Sequence, residues 1–84
     1  MLANIELDIG LRLLDYRKRM RMTQQDVADY LCVSQRYISK IESGLSCLRL
    51  SDMFKLCRLF DVSPREFCRD LPERLPFDEL EPYT

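Results

Sequence analysis

Apolar residues recur at helical spacing along the whole chain, strand-like alternation is absent, and only two glycines interrupt the pattern. The spacing predicts a first helix over residues 7–21, with Leu7, Leu11, Leu14 and Met20 turned inward. Gly10 lies inside it, at a cost of about 1 kcal/mol relative to alanine. Three further helix starts share one signature. Thr23 precedes Gln24, Gln25 and Asp26 as a T-x-x-D capping box, with Met22 and Val27 at the staple positions around it. Ser34 caps the next start, with Val33 and Ile38 as its staple. Ser63 caps the last, with Pro64 at the first helical position and Val62 and Phe67 as the staple. These starts predict helices over 24–31 and 35–43 and a fifth helix after Ser63. A fourth is expected over about residues 50–60, with Met53, Leu56, Cys57 and Phe60 on one face and Ser46 or Ser51 as its cap. The chain is therefore expected to be all-α.

Residues 72–84, PERLPFDELEPYT, carry three of the four prolines. They are expected to end helix 5 and to form an acidic, extended or disordered tail after a domain spanning residues 1–71. Phe77, Leu80 and Tyr83 remain able to dock, because a purely solvated tail rarely needs them.

A length of 84 residues allows one small domain. No apolar run approaches the roughly 18–20 residues of a membrane span, and the acidic start MLANIELDIG does not resemble a signal peptide. The four cysteines (Cys32, Cys47, Cys57 and Cys68) form no C-x-x-C pair, and histidine is absent. Neither a metal nor another cofactor is expected, and reduced cysteines in a cytosolic protein fit best. An enzyme is not expected, because no Gly-rich phosphate loop is present and no cysteine has a base partner. The net charge of −1 conceals an asymmetry. Residues 10–60 hold ten bases against five acids, and residues 61–84 hold three bases against seven acids. A basic body with an acidic end calls for a partner or a solubilising role.

Function concentrates at SQRYISKIESG, residues 34–44. Only Cys32-Val33-Ser34 separates helices 2 and 3, which forces a steep angle between them, as in a helix-turn-helix. On a wheel of about 100° per residue, Ile38 and Ile41 mark the buried face of helix 3. Arg36, Ser39, Lys40 and Ser43 surround the opposite direction, with Gln35 and Tyr37 at its edges and no acid among them. Arg and Lys match the acceptors of guanine, and Gln matches adenine. Glu42 falls beside the buried stripe, so it needs a cation, and Arg17 on helix 1 is the candidate partner.

In Arg17, MTQQDVADYL, VSQRYISKIESG and LFDVSPREF the chain resembles the Cro/repressor-type, XRE-like helix-turn-helix regulators, over roughly residues 9–71. The resemblance implies a compact five-helix, lambda-repressor-like DNA-binding domain. It implies base reading by Gln35, Arg36 and Lys40, and DNA-backbone contacts by Gln24, Tyr37, Ser39, Ser43 and Arg49. It also matches Arg17 and Glu42 to an internal ion pair. Glycine is common in that family where this chain has Arg21, Cys32 and Asp61, so those turns are expected to be either strained or differently shaped. The loop LSCLRL is unusually apolar, leaving Leu45 and Leu48 to pack on the core or on a partner.

The function expected from this resemblance is a sequence-specific transcriptional regulator, a repressor. It would bind a palindromic operator in double-stranded DNA as a homodimer, in a bacterial or phage cytoplasm, with no small-molecule ligand. Phe67, Leu71 and Phe77 are the candidate dimer contacts. The alternative is a protein-interaction module of the same fold, an antitoxin or antagonist component.

Overall fold

Helices begin in this chain where a side chain can satisfy the free N–H groups of a first turn. The computed structural model describes residues 4–71 and places five helices among them: α1 (Ile5–Arg19), α2 (Gln24–Leu31), α3 (Gln35–Glu42), α4 (Leu50–Phe60) and α5 (Pro64–Phe67). Asn4 caps α1 by accepting from the Leu7 N–H at 2.9 Å, so that helix starts earlier than the apolar spacing suggested. Thr23 and Asp26 close a reciprocal capping box at α2, at 3.0 and 2.8 Å. The hydrogen bond from the Thr23 backbone holds the Asp26 carboxyl below its ordinary range, with a smaller contribution from the Thr23 hydroxyl. Ser34 and Ser63 cap α3 and α5.

The helix ends repeat one device. Arg21, Cys32 and Asp61 all adopt left-handed backbone, with φ of 56°, 58° and 56°. In each case the next residue donates its N–H five residues back: Met22 to Arg17, Val33 to Ala28, Val62 to Cys57. This is the Schellman ending, and it satisfies carbonyls that the helix leaves open. Arg21-Met22-Thr23, Cys32-Val33-Ser34 and Asp61-Val62-Ser63 are thus three copies of one turn: a left-handed residue, an apolar residue packed on the core, and a hydroxyl cap for the next helix. Of the two shapes expected for these turns, the strained one is present. Asp tolerates it best, and Arg and Cys bear a cost of about 1–2 kcal/mol each.

Leu13, Val27, Ala28, Leu31, Ile38, Ile41, Leu56 and Phe60 form the core. The inward face of α1 differs from the expected one. Leu7, Leu11 and Met20 are exposed and Leu14 is half-buried, while Gly10 and Leu13 are buried. The reason is Gly10. A Cβ there would lie 2.1 Å from the Ile41 carbonyl oxygen and 3.0 Å from the Glu42 Cα. Helix α1 crosses α3 backbone to backbone at this point, and the crossing rotates the buried stripe onto Gly10, Leu13, Tyr16 and Arg17. The glycine is therefore a requirement of packing as well as a helix-propensity cost. Tyr16 stacks between Phe60 and Phe67, with ring centroids 5.4 and 5.7 Å away, and Arg12 donates to the Phe67 carbonyl at 2.9 Å. Phe67 is consequently buried beneath α1 and Leu71 is buried as well, so neither is available as a dimer contact. Phe77 and the expected tail over 72–84 lie outside the described residues.

Gly10→Ala is expected to destabilise the fold by about 1–3 kcal/mol, because backbone on both sides of the contact must move. Chemical denaturation reads this; an unchanged or raised midpoint would mean that α1 and α3 do not meet there. Cys32→Gly is expected to stabilise by about 0.5–1 kcal/mol, as relief of left-handed strain outweighs the added freedom of the unfolded chain. A loss of stability in the same measurement would contradict the strain assigned to this turn.

Candidate nucleic-acid interface

The three-residue turn at Cys32 sets α3 across α2, and its burial pattern fixes which side faces out. Ile38 and Ile41 are fully buried, whereas Gln35, Arg36, Lys40 and Ser43 are exposed and Ser39 is half-buried. Arg36 and Lys40 have no ion-pair partner among the described residues.

The acid of α3 points the other way. Glu42 is held by Arg17 in a two-pronged pair, Nε to Oε2 at 2.7 Å and Nη2 to Oε1 at 3.0 Å, with both side chains almost fully buried. Arg17 Nη1 also donates to the Met22 carbonyl at 2.9 Å. Glu42 ends α3, where the helix dipole already disfavours negative charge. The guanidinium offsets that charge, and breaking such a buried pair costs about 3–5 kcal/mol. No buried side-chain polar atom is left without a partner among the described residues.

From this pair a line of hydrogen bonds runs outward. Gln24 Nε2 donates to Glu42 Oε1 at 2.9 Å, and Gln35 Nε2 donates to Gln24 Oε1 at 3.1 Å. Gln24 stands at the start of α2 with one amide hydrogen unspent. Gln35 keeps its carbonyl oxygen and a second amide hydrogen, the donor–acceptor combination that adenine requires. The sequence pointed to Gln24 and Gln35 separately; their mutual bond depends on how α2 and α3 cross.

The remaining candidates occupy different surroundings. Tyr37 turns toward α4, where its hydroxyl donates to Asp52 Oδ2 at 3.0 Å and accepts from the Arg49 backbone N–H at 3.1 Å. Arg49 Nε donates to the same carboxylate oxygen at 2.9 Å, and its guanidinium carbon sits 4.9 Å from the centre of the Tyr37 ring. The bond to Asp52, with a smaller one from Tyr37, raises the Arg49 pKa above its ordinary value. Neither Ser46 nor Ser51 caps α4, whose N-cap is Arg49 without a side-chain cap bond. The Tyr37 hydroxyl instead bridges the Arg49 N–H to Asp52, completing across two helices the link that a capping box makes within one. Asp52 itself was missed in the sequence. Its spacing of three residues from Arg49 was the available signal, and its burial was not legible. Ser43 spends its hydroxyl hydrogen on the Ser39 carbonyl at 2.9 Å. Leu48 packs on the core, whereas Leu45 is exposed. Arg36, Lys40, Gln35 and Gln24 thus lie together on one face, with Arg49 anchored through α4.

Two helices crossed by a three-residue turn, the second presenting an acid-free polar face, define a helix-turn-helix unit. A helix-turn-helix family model matches residues 13–67, and the chain belongs to this XRE-type family of DNA-binding transcription regulators. No curated protein sequence matches the chain. Among solved structures it is similar to the restriction-modification controller protein C.AhdI from Aeromonas hydrophila, with 26% identity and a TM-score of 0.67 over 74% of this chain and 94% of that one. It is similar also to the SinR protein/SinI protein complex, at 26% identity and a TM-score of 0.68, over 86% of this chain and 71% of that one. The clp gene regulator ClgR from Corynebacterium glutamicum shares the fold at 19% identity, with a TM-score of 0.73 over 82% of this chain and 73% of that one. The family is one of transcription regulators. No helix among the described residues is long and apolar enough to cross a membrane.

Tyr37→Phe is expected to cost about 1–3 kcal/mol, since the Arg49 N–H loses its acceptor and Asp52 loses a donor. Denaturation of the free protein checks this, and a loss confined to DNA affinity would place Tyr37 on the DNA instead.

Proposed function

We propose that this chain is a sequence-specific repressor that places α3 in the major groove of double-stranded DNA. The observation that carries the reading is the acid-free outer face of α3, with Arg36 and Lys40 unpaired and Glu42 turned into the fold. In this reading Gln35, Arg36 and Lys40 contact base edges. Gln24 contacts a phosphate with its remaining amide hydrogen and the N-terminus of α2. The Nη groups of Arg49 and the hydroxyl of Ser39 reach the DNA backbone. Ser43 does so by exchanging its bond to Ser39, and Tyr37 acts chiefly by holding Arg49 in place. The protein binds a palindrome as a homodimer, with half-sites about one helical turn, ~34 Å, apart.

Arg36→Ala is expected to cost about 1–3 kcal/mol of operator affinity and to relax the preference at one base pair. Gln24→Ala is expected to weaken binding on every sequence and to loosen the preference at the Gln35 position. Selection of bound DNA from a random pool at two salt concentrations measures both effects. A protein with Arg36→Ala that selects the parental operator at parental affinity would remove α3 from the base-reading role.

A further inference from the structure

Helix α1 has two faces, and the fold buries only one of them. Gly10, Leu13 and Tyr16 face α3 and the rings of Phe60 and Phe67. Leu7, Leu11, Leu14 and Lys18 fall within about 60° of one another on a different side of the helix. Their spacings of four, three and four are those of a coiled-coil seam. The crossing at Gly10 turns this stripe away from the core. Leu7 is 38% and Leu11 49% exposed, Leu14 is half-buried and Lys18 is exposed. Lys18 has no ion-pair partner among the described residues.

The charges of α1 identify the occupant. Its first turn carries Glu6 and Asp8, and its last carries Arg17, Lys18 and Arg19. Lys18 lies within the stripe, and Asp8 lies about 90° from its middle. Consider a second α1 laid antiparallel on the first, with the two-fold axis between Leu11 and Leu14. Leu11 then meets Leu14 of the second copy, and Leu7 meets Lys18 of the second copy. The lysine stem covers the leucine, and its ammonium reaches Asp8 beside it. Asp15 of the second copy also approaches Asp8, but Asp15 is bonded to its own Arg19 at 2.7 Å. A parallel copy in register would instead set Lys18 against Lys18, with no acid in the stripe to offset them. The stripe is therefore complementary to itself in one direction only, the requirement of an isologous two-fold contact.

We propose that two copies of this chain pair through α1, antiparallel, along Leu7, Leu11, Leu14 and Lys18. The proposal rests on the homodimeric reading above and gives it a surface. That surface uses none of the residues assigned to DNA.

The test uses the full chain, first without DNA. Sedimentation velocity over a concentration series is expected to show a monomer–dimer equilibrium. Leu11→Glu, at an exposed position, is expected to weaken it by at least about 100-fold, because the carboxylate would be buried against an apolar side chain. Lys18→Leu completes the seam and is expected to tighten it by roughly tenfold, a gain that misfolding does not imitate. A zero-length carbodiimide cross-linker, read by mass spectrometry in an equal mixture of unlabelled and ¹⁵N-labelled protein, is expected to join Lys18 to Asp8 in mixed-isotope pairs. Within one chain these residues are about 15 Å apart along α1, too far for that reagent. A protein that stays monomeric up to about 1 mM would overturn the proposal. So would a dimer indifferent to both substitutions, or one that yields no Lys18–Asp8 link; either would leave the homodimeric reading intact and move its surface elsewhere. Operator affinity is then measured on the same variants. A Leu11→Glu protein that is monomeric yet binds a palindrome as tightly as the parent would support the α1 surface and remove the dimer from the operator reading.

Discussion

The buried pair between Arg17 and Glu42 organises the rest of the structure. It joins the last turn of α1 to the last residue of α3, and through Arg17 Nη1 and Gln24 it also holds the α1–α2 turn and the start of α2. Its position next to the Gly10 crossing is physically consistent. The glycine lets α1 approach the Ile41 carbonyl, and that approach shields the ion pair from water. Shielding raises the cost of leaving either charge alone, so the pair contributes more to fixing one arrangement of the three helices than to net stability.

The same pair has a consequence on the outer surface. Turning Glu42 inward removes the acid of α3 from the face that presents Arg36 and Lys40. A line of amides continues from Glu42 through Gln24 to Gln35, so the exposed glutamine is oriented by a charge inside the fold. Arg49 is held in a comparable way through Tyr37 and Asp52. Side chains positioned in advance lose less freedom when they meet a ligand, and that benefits recognition by a small domain.

Local rules account for most of the helices. The capping residues Thr23, Ser34 and Ser63 announce three starts, because cap chemistry depends on neighbours three or four residues away. The left-handed turns at Arg21, Cys32 and Asp61 show how far local signals extend. Three turns of one shape use three different residues where glycine would be least strained, and the apolar residue that follows each of them is held by the core. Where a local cap was lacking, at α4, the sequence offered Ser46 and Ser51, and the fold used a tyrosine from another helix.

By itself the sequence determined the number and order of the helices, the turn between α2 and α3, the burial of Ile38 and Ile41, and the inward direction of Glu42. All of these follow from periodicity and from caps, which act within one or two turns of helix. Tertiary structure alone decided which face of α1 is buried, because a glycine carries no hydrophobic signal yet permits a close backbone contact between α1 and α3. It also decided that Asp52 is buried and paired, that Gln24 and Gln35 act together, and that Phe67 and Leu71 belong to the core. Each of these depends on the crossing of helices distant in sequence, and the spacing of residues along one helix contains no record of what will be laid across it.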